Sequence, residues 1–115
     1  VEVKEEEPSE QEIFEVVEEA AEFPGGMPAC LQFLYKNINY PTIAQENGTQ
    51  GQVVLQFVVE RDGSITDIKV VKSVDPYLDK EALRVVKTMP KWKPGKQRGK
   101  PVRCRFTLPV RFRLQ

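Results

Sequence analysis

Covalent catalysis needs a nucleophile with a base beside it, and this sequence contains no histidine. That removes Ser–His and Cys–His pairs and most zinc sites. The two cysteines, Cys30 and Cys104, are far apart in sequence and form no metal motif. Both fall at apolar positions of their segments, and free cysteine is usually buried, so two buried thiols are expected. No glycine-rich phosphate loop precedes a helix. Gly48 and Gly51 are turn glycines before a strand, and Gly25-Gly26 follows no strand. Asp62 and Asp67 flank a hairpin turn and read as turn and surface groups. The sequence predicts no enzyme, no cofactor and no small-molecule substrate.

The residues that remain are arginines set in a strict alternation. From Pro101 to Leu114 the chain reads P-V-R-C-R-F-T-L-P-V-R-F-R-L. Val102, Cys104, Phe106, Leu108, Val110, Phe112 and Leu114 are apolar, with Arg103, Arg105, Thr107, Pro109, Arg111 and Arg113 between them. Period two is the strand period, so one face is buried and the other wet. Proline cannot donate to a sheet ladder, so Pro109 places this strand at an edge. An edge carries a row of unpaired N–H and C=O groups that can template another chain. Two readings stand: proline and arginines guarding the edge against aggregation, or a docking edge.

The rest of the chain supplies the elements that hold this strand. A helix is predicted from about Pro28 to Asn37, with Leu31, Leu34, Tyr35 and Ile38 at three- and four-residue steps. Tyr40-Pro41 ends it. One further turn is predicted through Ala44, stopped by Asn47-Gly48. Gly51 to Glu60 and Ile65 to Lys72 are strands joined by an Asp62-Gly63 turn. Asp75-Pro76 caps and opens a helix to about Thr88. Trp92 is expected to pin the connection to the core, and Lys96–Lys100 reads as a basic loop. The fold class is α+β: a three-stranded antiparallel sheet of order 2-1-3 with two helices on one face. On the other, open face, Glu60 is placed to meet Arg103 or Arg105.

A net charge of zero hides two unequal parts. Residues 1–22 hold ten Glu and one Lys, a net of −9; residues 23–115 hold the other seven acids and sixteen bases, a net of +9. Residues 1–22 read as an acidic flexible linker, with Glu2–Glu12 mobile and Ile13, Phe14, Val16 and Val17 able to lie along the domain as an arm. Residues 23–115 read as one domain, bounded by the breaker cluster Phe23–Gly26. No apolar run is long enough to cross a bilayer and no signal-peptide pattern opens the chain, which reads as a mature or excised fragment. The basic end suits an acidic peptide, an anionic surface or nucleic acid. Nucleic acid fits poorly, because Phe106 and Phe112 lie in the buried phase and leave no stacking platform.

Taken in order, the motifs resemble a family. They are F-P-G-G at Phe23–Gly26, Y-P at Tyr40-Pro41, G-x-V-x-x-x-F-x-V at Gly51–Val59 and D-G at Asp62-Gly63. They continue with D-I-K-V-V at Asp67–Val71, L-D-K-E-A-L at Leu78–Leu83, W-K-P-G at Trp92–Gly95, G-K-P-V at Gly99–Val102 and the closing L-P-V-R-F. From Phe23 to Gln115 the chain resembles the C-terminal domain of TonB, in its Bacteroidetes-type form. The resemblance implies a TonB/TolA C-terminal-like fold in the periplasm, belonging to an inner-membrane-anchored protein. It implies that the TonB box of outer-membrane transporters adds as a strand to the last strand. It also implies a link to an ExbB–ExbD-type motor through a missing N-terminal region. By position it implicates Asn37, Asn39, Tyr40 and Pro41, with Arg103, Arg105, Thr107, Arg111 and Arg113 along the edge. Tyr40 is open between packing and partner contact. The family's membrane helix and proline-rich spacer are not in this sequence. The alternative is therefore a partner-binding periplasmic domain appended to a sensor-type membrane peptidase.

Overall fold

The computed structural model describes residues 11–114. Of the stretch expected to be mobile, Glu2–Glu12, residues 2–10 lie outside these residues. The elements, in chain order, are β1 (Ile13–Phe14), α1 (Gly26–Asn37), α2 (Thr42–Glu46), β2 (Gly51–Val59), β3 (Ile65–Lys72), α3 (Pro76–Lys87), β4 (Gly95–Gln97) and β5 (Lys100–Phe112).

The central hairpin forms for the reasons its sequence gives. β2 and β3 pair antiparallel, and the turn between them is drawn tight by Asp62, whose Oδ1 accepts from Ser64 N at 2.9 Å and Ser64 Oγ at 2.6 Å. Gly63 takes φ +88°, and a Cβ there would lie 2.0 Å from the Trp92 carbonyl oxygen. Trp92 N donates back to Gly63 O at 2.8 Å. Glycine is therefore needed twice at this point, for the backbone angle and for the close approach. Trp92 is buried, edge-on to Phe57 at 5.3 Å and Phe106 at 4.8 Å, so it does pin the connection.

α3 begins where Asp75 and Pro76 predict. Asp75 Oδ2 accepts from Tyr77 N at 3.0 Å and Leu78 N at 3.3 Å, satisfying two of the orphan N–H groups of the first turn. Leu78, Ala82, Val85 and Val86 then face the core. They meet Val53, Leu55, Phe57 and Val59 of β2 and Leu108, Val110 and Phe112 of β5 in one buried cluster.

β5 pairs antiparallel with β2 without a register break, from Gly51↔Phe112 to Val59↔Cys104. The sequence of strands across the sheet is β1-β5-β2-β3, with β4 also paired to β5. The predicted order is present within it, as β3-β2-β5, but three corrections apply. The sheet is mixed and five-stranded, because β1 joins the outer side of β5 in parallel. Lys96–Lys100 is a hairpin rather than a loop: Gly95–Gln97 pairs with Lys100–Val102 through Arg98 and Gly99, both at positive φ, as a two-residue primed turn requires. Among the described residues there are three helices, since Thr42–Glu46 forms a short helix.

The far face of the sheet is also less bare than expected. Val58 points away from the helical core, is paired with Arg105, and is fully buried. No helix among the described residues is long and apolar enough to cross a membrane. Both cysteines are free and buried, as the sequence predicts. Burial pushes the Cys30 thiol up to about 11 and raises Cys104 as well, so neither is an activated thiolate.

Candidate functional site

The outer edge of β5 divides at Cys104. Pro109 lies inside an unbroken ladder with β2, so its nitrogen faces away from β2. In an antiparallel strand the outward-facing residues alternate. Arg103, Arg105, Thr107 and Arg111 therefore share Pro109's phase and present their backbone groups to the outer edge.

The first half of that edge is closed. β1 pairs with it at Ile13↔Arg103 and Phe14↔Cys104. Arg103 is fixed on Glu60, through Nε to Oε1 at 2.7 Å and Nη2 to Oε2 at 3.2 Å, and its Nη1 donates to Gln11 O at 2.8 Å. The Arg103 hydrogen bond holds the Glu60 carboxyl below its ordinary value against the opposing effect of burial. Arg105 Nε donates to Glu15 Oε1 at 2.9 Å. Both arginines are paired within this chain.

The second half is open. Among the described residues no strand pairs with the outer side of Phe106–Phe112. Thr107 is exposed and its hydroxyl accepts from Gln56 Nε2 at 3.3 Å. Arg111 and Arg113 are exposed, and among the described residues neither meets a carboxylate. Beside this half runs a groove of about 550 Å³ between α1 and β5. Leu31, Tyr35 and Ile38 wall it on one side, Pro109, Arg111 and Arg113 on the other, with Tyr40 and Phe112 at its end.

The groove exists because α1 carries more apolar surface than it buries. Cys30 and Leu34 face the core, whereas Leu31 is 55% exposed and Tyr35 81%. The helical spacing of Leu31, Leu34, Tyr35 and Ile38 predicted the helix but not which of them would be left uncovered. Leu31 and Tyr35 are the site residues that sequence reasoning missed. The available signal was the width of the apolar stripe, which runs from Cys30 through Leu31, Phe33, Leu34 and Tyr35.

The Asn37–Pro41 segment is positioned by a buried carboxylate on α3. Glu81 accepts from Asn39 N at 2.6 Å and from Arg84 Nε and Nη2, both at 2.7 Å. Arg84 Nη2 also donates to Asn37 O at 2.8 Å. Burial opposes ionisation of Glu81, but the Arg84 guanidinium and the Asn39 N–H outweigh it and hold the carboxyl below its ordinary value. Asn37 Nδ2 donates to Phe33 O at 2.8 Å, and Pro41 O accepts from Gln45 N at 3.0 Å to open α2. Tyr40 packs and borders the groove at once: its ring meets Phe112 edge-on at 5.7 Å, and its hydroxyl donates to Thr49 O. Burial raises its hydroxyl above the ordinary value. The structure thus brings Tyr40, Arg111 and Arg113 to one groove, puts Thr107 on the open edge beside it, and sets Arg103 and Arg105 apart under the arm.

The sequence model of the family "Gram-negative bacterial TonB protein C-terminal" matches residues 36–114. The chain belongs to this family. Protein TonB from two strains of Helicobacter pylori is 46% identical over 50 residues, covering 43% of this chain and 18% of each relative. The chain thus matches a small share of those proteins. Two solution NMR structures of the Helicobacter pylori TonB C-terminal domain align at TM-score 0.55. They are 27% and 28% identical and cover 74% of this chain, against 78% and 89% of theirs. The α+β arrangement is therefore that of TonB C-terminal domains. The matched region contains β5 and the groove residues from Ile38 onward; it begins after the arm and after Leu31, Leu34 and Tyr35.

Proposed function

We propose that this is the gripping domain of a periplasmic energy transducer, anchored upstream in the inner membrane. It binds the N-terminal TonB-box segment of an outer-membrane transporter and passes on the pull of an ExbB–ExbD-type motor. It is a non-catalytic binding module. The observation that carries the reading is the open half of β5 beside an apolar groove. An incoming strand bonds Thr107 and Arg111 of β5 and lays alternate side chains against Leu31, Tyr35 and Ile38, the two components of recognition by strand addition.

The magnitudes define what such a grip does. About four backbone hydrogen bonds fit this half edge, each worth roughly 0.5–1.5 kcal/mol net. Association costs about 4–15 kcal/mol. Backbone pairing alone does not hold the segment. Burying one or two apolar side chains in the groove adds about 1.5–3 kcal/mol each. The expected complex is of modest affinity and releases readily, which suits repeated pulling.

Titration of a transporter N-terminal peptide into isotope-labelled protein tests this. Amide shifts are expected at Phe106–Phe112 and at Leu31 and Tyr35. Shifts confined to β3 would place docking on the opposite edge and refute the proposal.

A further inference from the structure

The described arm supplies its own example of what β5 accepts. It is the segment Gln11-Glu12-Ile13-Phe14-Glu15-Val16-Val17, a strand at Ile13–Phe14 and bent at Glu15–Val16, in which acidic and apolar residues are mixed. It lies parallel to β5 and places a carboxylate on Arg105. It holds that place by few contacts. β1 is two residues long, Phe14 is half-buried, Val16 is 86% exposed, and the Glu15 side chain is 69% exposed in its pair with Arg105. Arg105 is the less exposed partner, with its side chain 18% exposed, and its Nη1 has no hydrogen bond. The nearest further acid, Asp67 Oδ2, is 3.9 Å from that nitrogen. Guanidinium groups bind carboxylates best through two N–H donors at once, and the arm engages one. From Glu19 onward the hold is firmer. Glu19 exchanges backbone bonds with Lys96 at 3.1 and 2.9 Å, Glu22 does so with Lys93 at 3.0 and 2.8 Å, and Ala21 and Phe23 are buried.

We propose that Gln11–Val17 is a pseudo-ligand strand, occupying in cis the acid-binding half of the docking edge until a partner strand led by a carboxylate displaces it. This rests on strand addition at Phe106–Phe112. It goes further by assigning an internal occupant to one length of that edge. The direction follows from β1: a strand replacing it in the same sense begins at Arg103–Arg105 and runs on toward Phe112. Its leading acid reaches Arg105, and its apolar residues reach the groove. Bound at the open half alone, a shorter strand leaves the arm in place. Affinity for the long strand is reduced by the fraction of molecules in which the arm is closed.

The test uses the full 115-residue chain and its Glu15→Gln and Phe14→Ser variants. Two synthetic peptides serve as probes. One has a leading glutamate followed by nine alternating valines and threonines; the other is its last five residues. The long peptide is expected to bind both variants about 3- to 10-fold more tightly than the parent and to shift the amides of Ile13–Val17. The short peptide is expected to bind all three proteins equally. Unchanged Val53–Val59 amides report that each variant is folded. If the long peptide binds all three proteins equally, shifting Phe106–Phe112 and leaving Ile13–Val17 unmoved, the pseudo-ligand is refuted and strand addition stands. If neither peptide shifts Phe106–Phe112, strand addition fails and this inference falls with it.

Discussion

The two halves of the outer edge of β5 carry the same alternation of arginine and apolar residue, but they meet different neighbours. At Arg103 and Arg105 the guanidinium groups are committed to Glu60 and Glu15, and the edge is paired with Ile13 and Phe14. At Arg111 and Arg113 the side chains stand in solvent and, among the described residues, no strand pairs with the edge beside the groove. Sequence periodicity determines which face a side chain takes; it does not determine who sits at the strand's side. Among the described residues, acids pair with the arginines of the first half alone, where Glu15 of the arm and Glu60 both lie. One repeated pattern therefore produces a locked surface and an available one.

The largest effect is expected where the open half is fixed to the core. Phe112 is 2% exposed and carries the Tyr40 contact, so Phe112→Ala should lower stability by about 3–5 kcal/mol in a denaturant titration. Phe106 is only half-buried, so Phe106→Ala should lose less than Phe112→Ala, and an equal loss would contradict the burial contrast.

A pair of prolines separates the inner from the outer side of the strand. Val110 faces β2 in phase, and Val110→Pro should cost about 3 kcal/mol or more through a lost ladder bond and a damaged core. Arg111→Pro should leave the fold nearly intact and weaken a docked peptide about 2- to 12-fold, the equivalent of one hydrogen bond. Circular dichroism and peptide titration on the two variants check this. If Arg111→Pro unfolds the domain, the outward assignment of that phase is wrong.

Next comes the clamp on Asn37–Tyr40. Glu81→Ala removes the acceptor of three hydrogen bonds and should cost about 1–3 kcal/mol by thermal or urea unfolding. Glu81 and Glu60 also share a pH signature. Both carboxyls are held below the ordinary 4.5, so their contribution is complete above that value and is lost as pH falls through their folded values. Unfolding midpoints should decline below about pH 4.5, and Glu60→Gln with Glu81→Gln should flatten that decline. The smallest change in stability is expected at the groove wall. Tyr35→Ser, at an exposed position, should change stability by about 0.5 kcal/mol or less while reducing peptide affinity.

The parts of the fold that the sequence foretold are those with a sustained period or a specific cap. β3 begins and ends at the predicted residues, and Asp75 caps α3 where its spacing from the apolar face demanded. Glu60 meets Arg103, one of the two partners that cross-strand register allowed. β1 was not legible as a strand because two residues carry no periodicity; only the apolar content of Ile13–Val17 hinted at an arm. β4 was hidden because Arg98 takes a positive φ, which its residue type does not advertise. For the candidate site, Pro109 announced an edge; Tyr40, named through the family resemblance and left open between packing and contact, packs on Phe112 and lines the groove. The exposure of Leu31 and Tyr35 was illegible, since helical spacing predicts a stripe and leaves open how much of it neighbouring elements cover.

The arm also defines a load path. Tension applied at the amino-terminal end of the described chain reaches the domain first at Gln11, and then at β1 and the Glu15–Arg105 pair. It meets the backbone bonds of Glu19 and Glu22 next, then the buried side chains of Ala21 and Phe23, and last the left-handed Gly25-Gly26 pair. These contacts are stressed one after another, as a zip is opened, so the weakest yield before the core bears any force. A strand added to β5, as proposed above, and pulled along its own axis would be stressed in shear, with its bonds sharing the load together. With two paired residues in β1, the arm has fewer bonds to share such a load than a longer strand added to β5 would have.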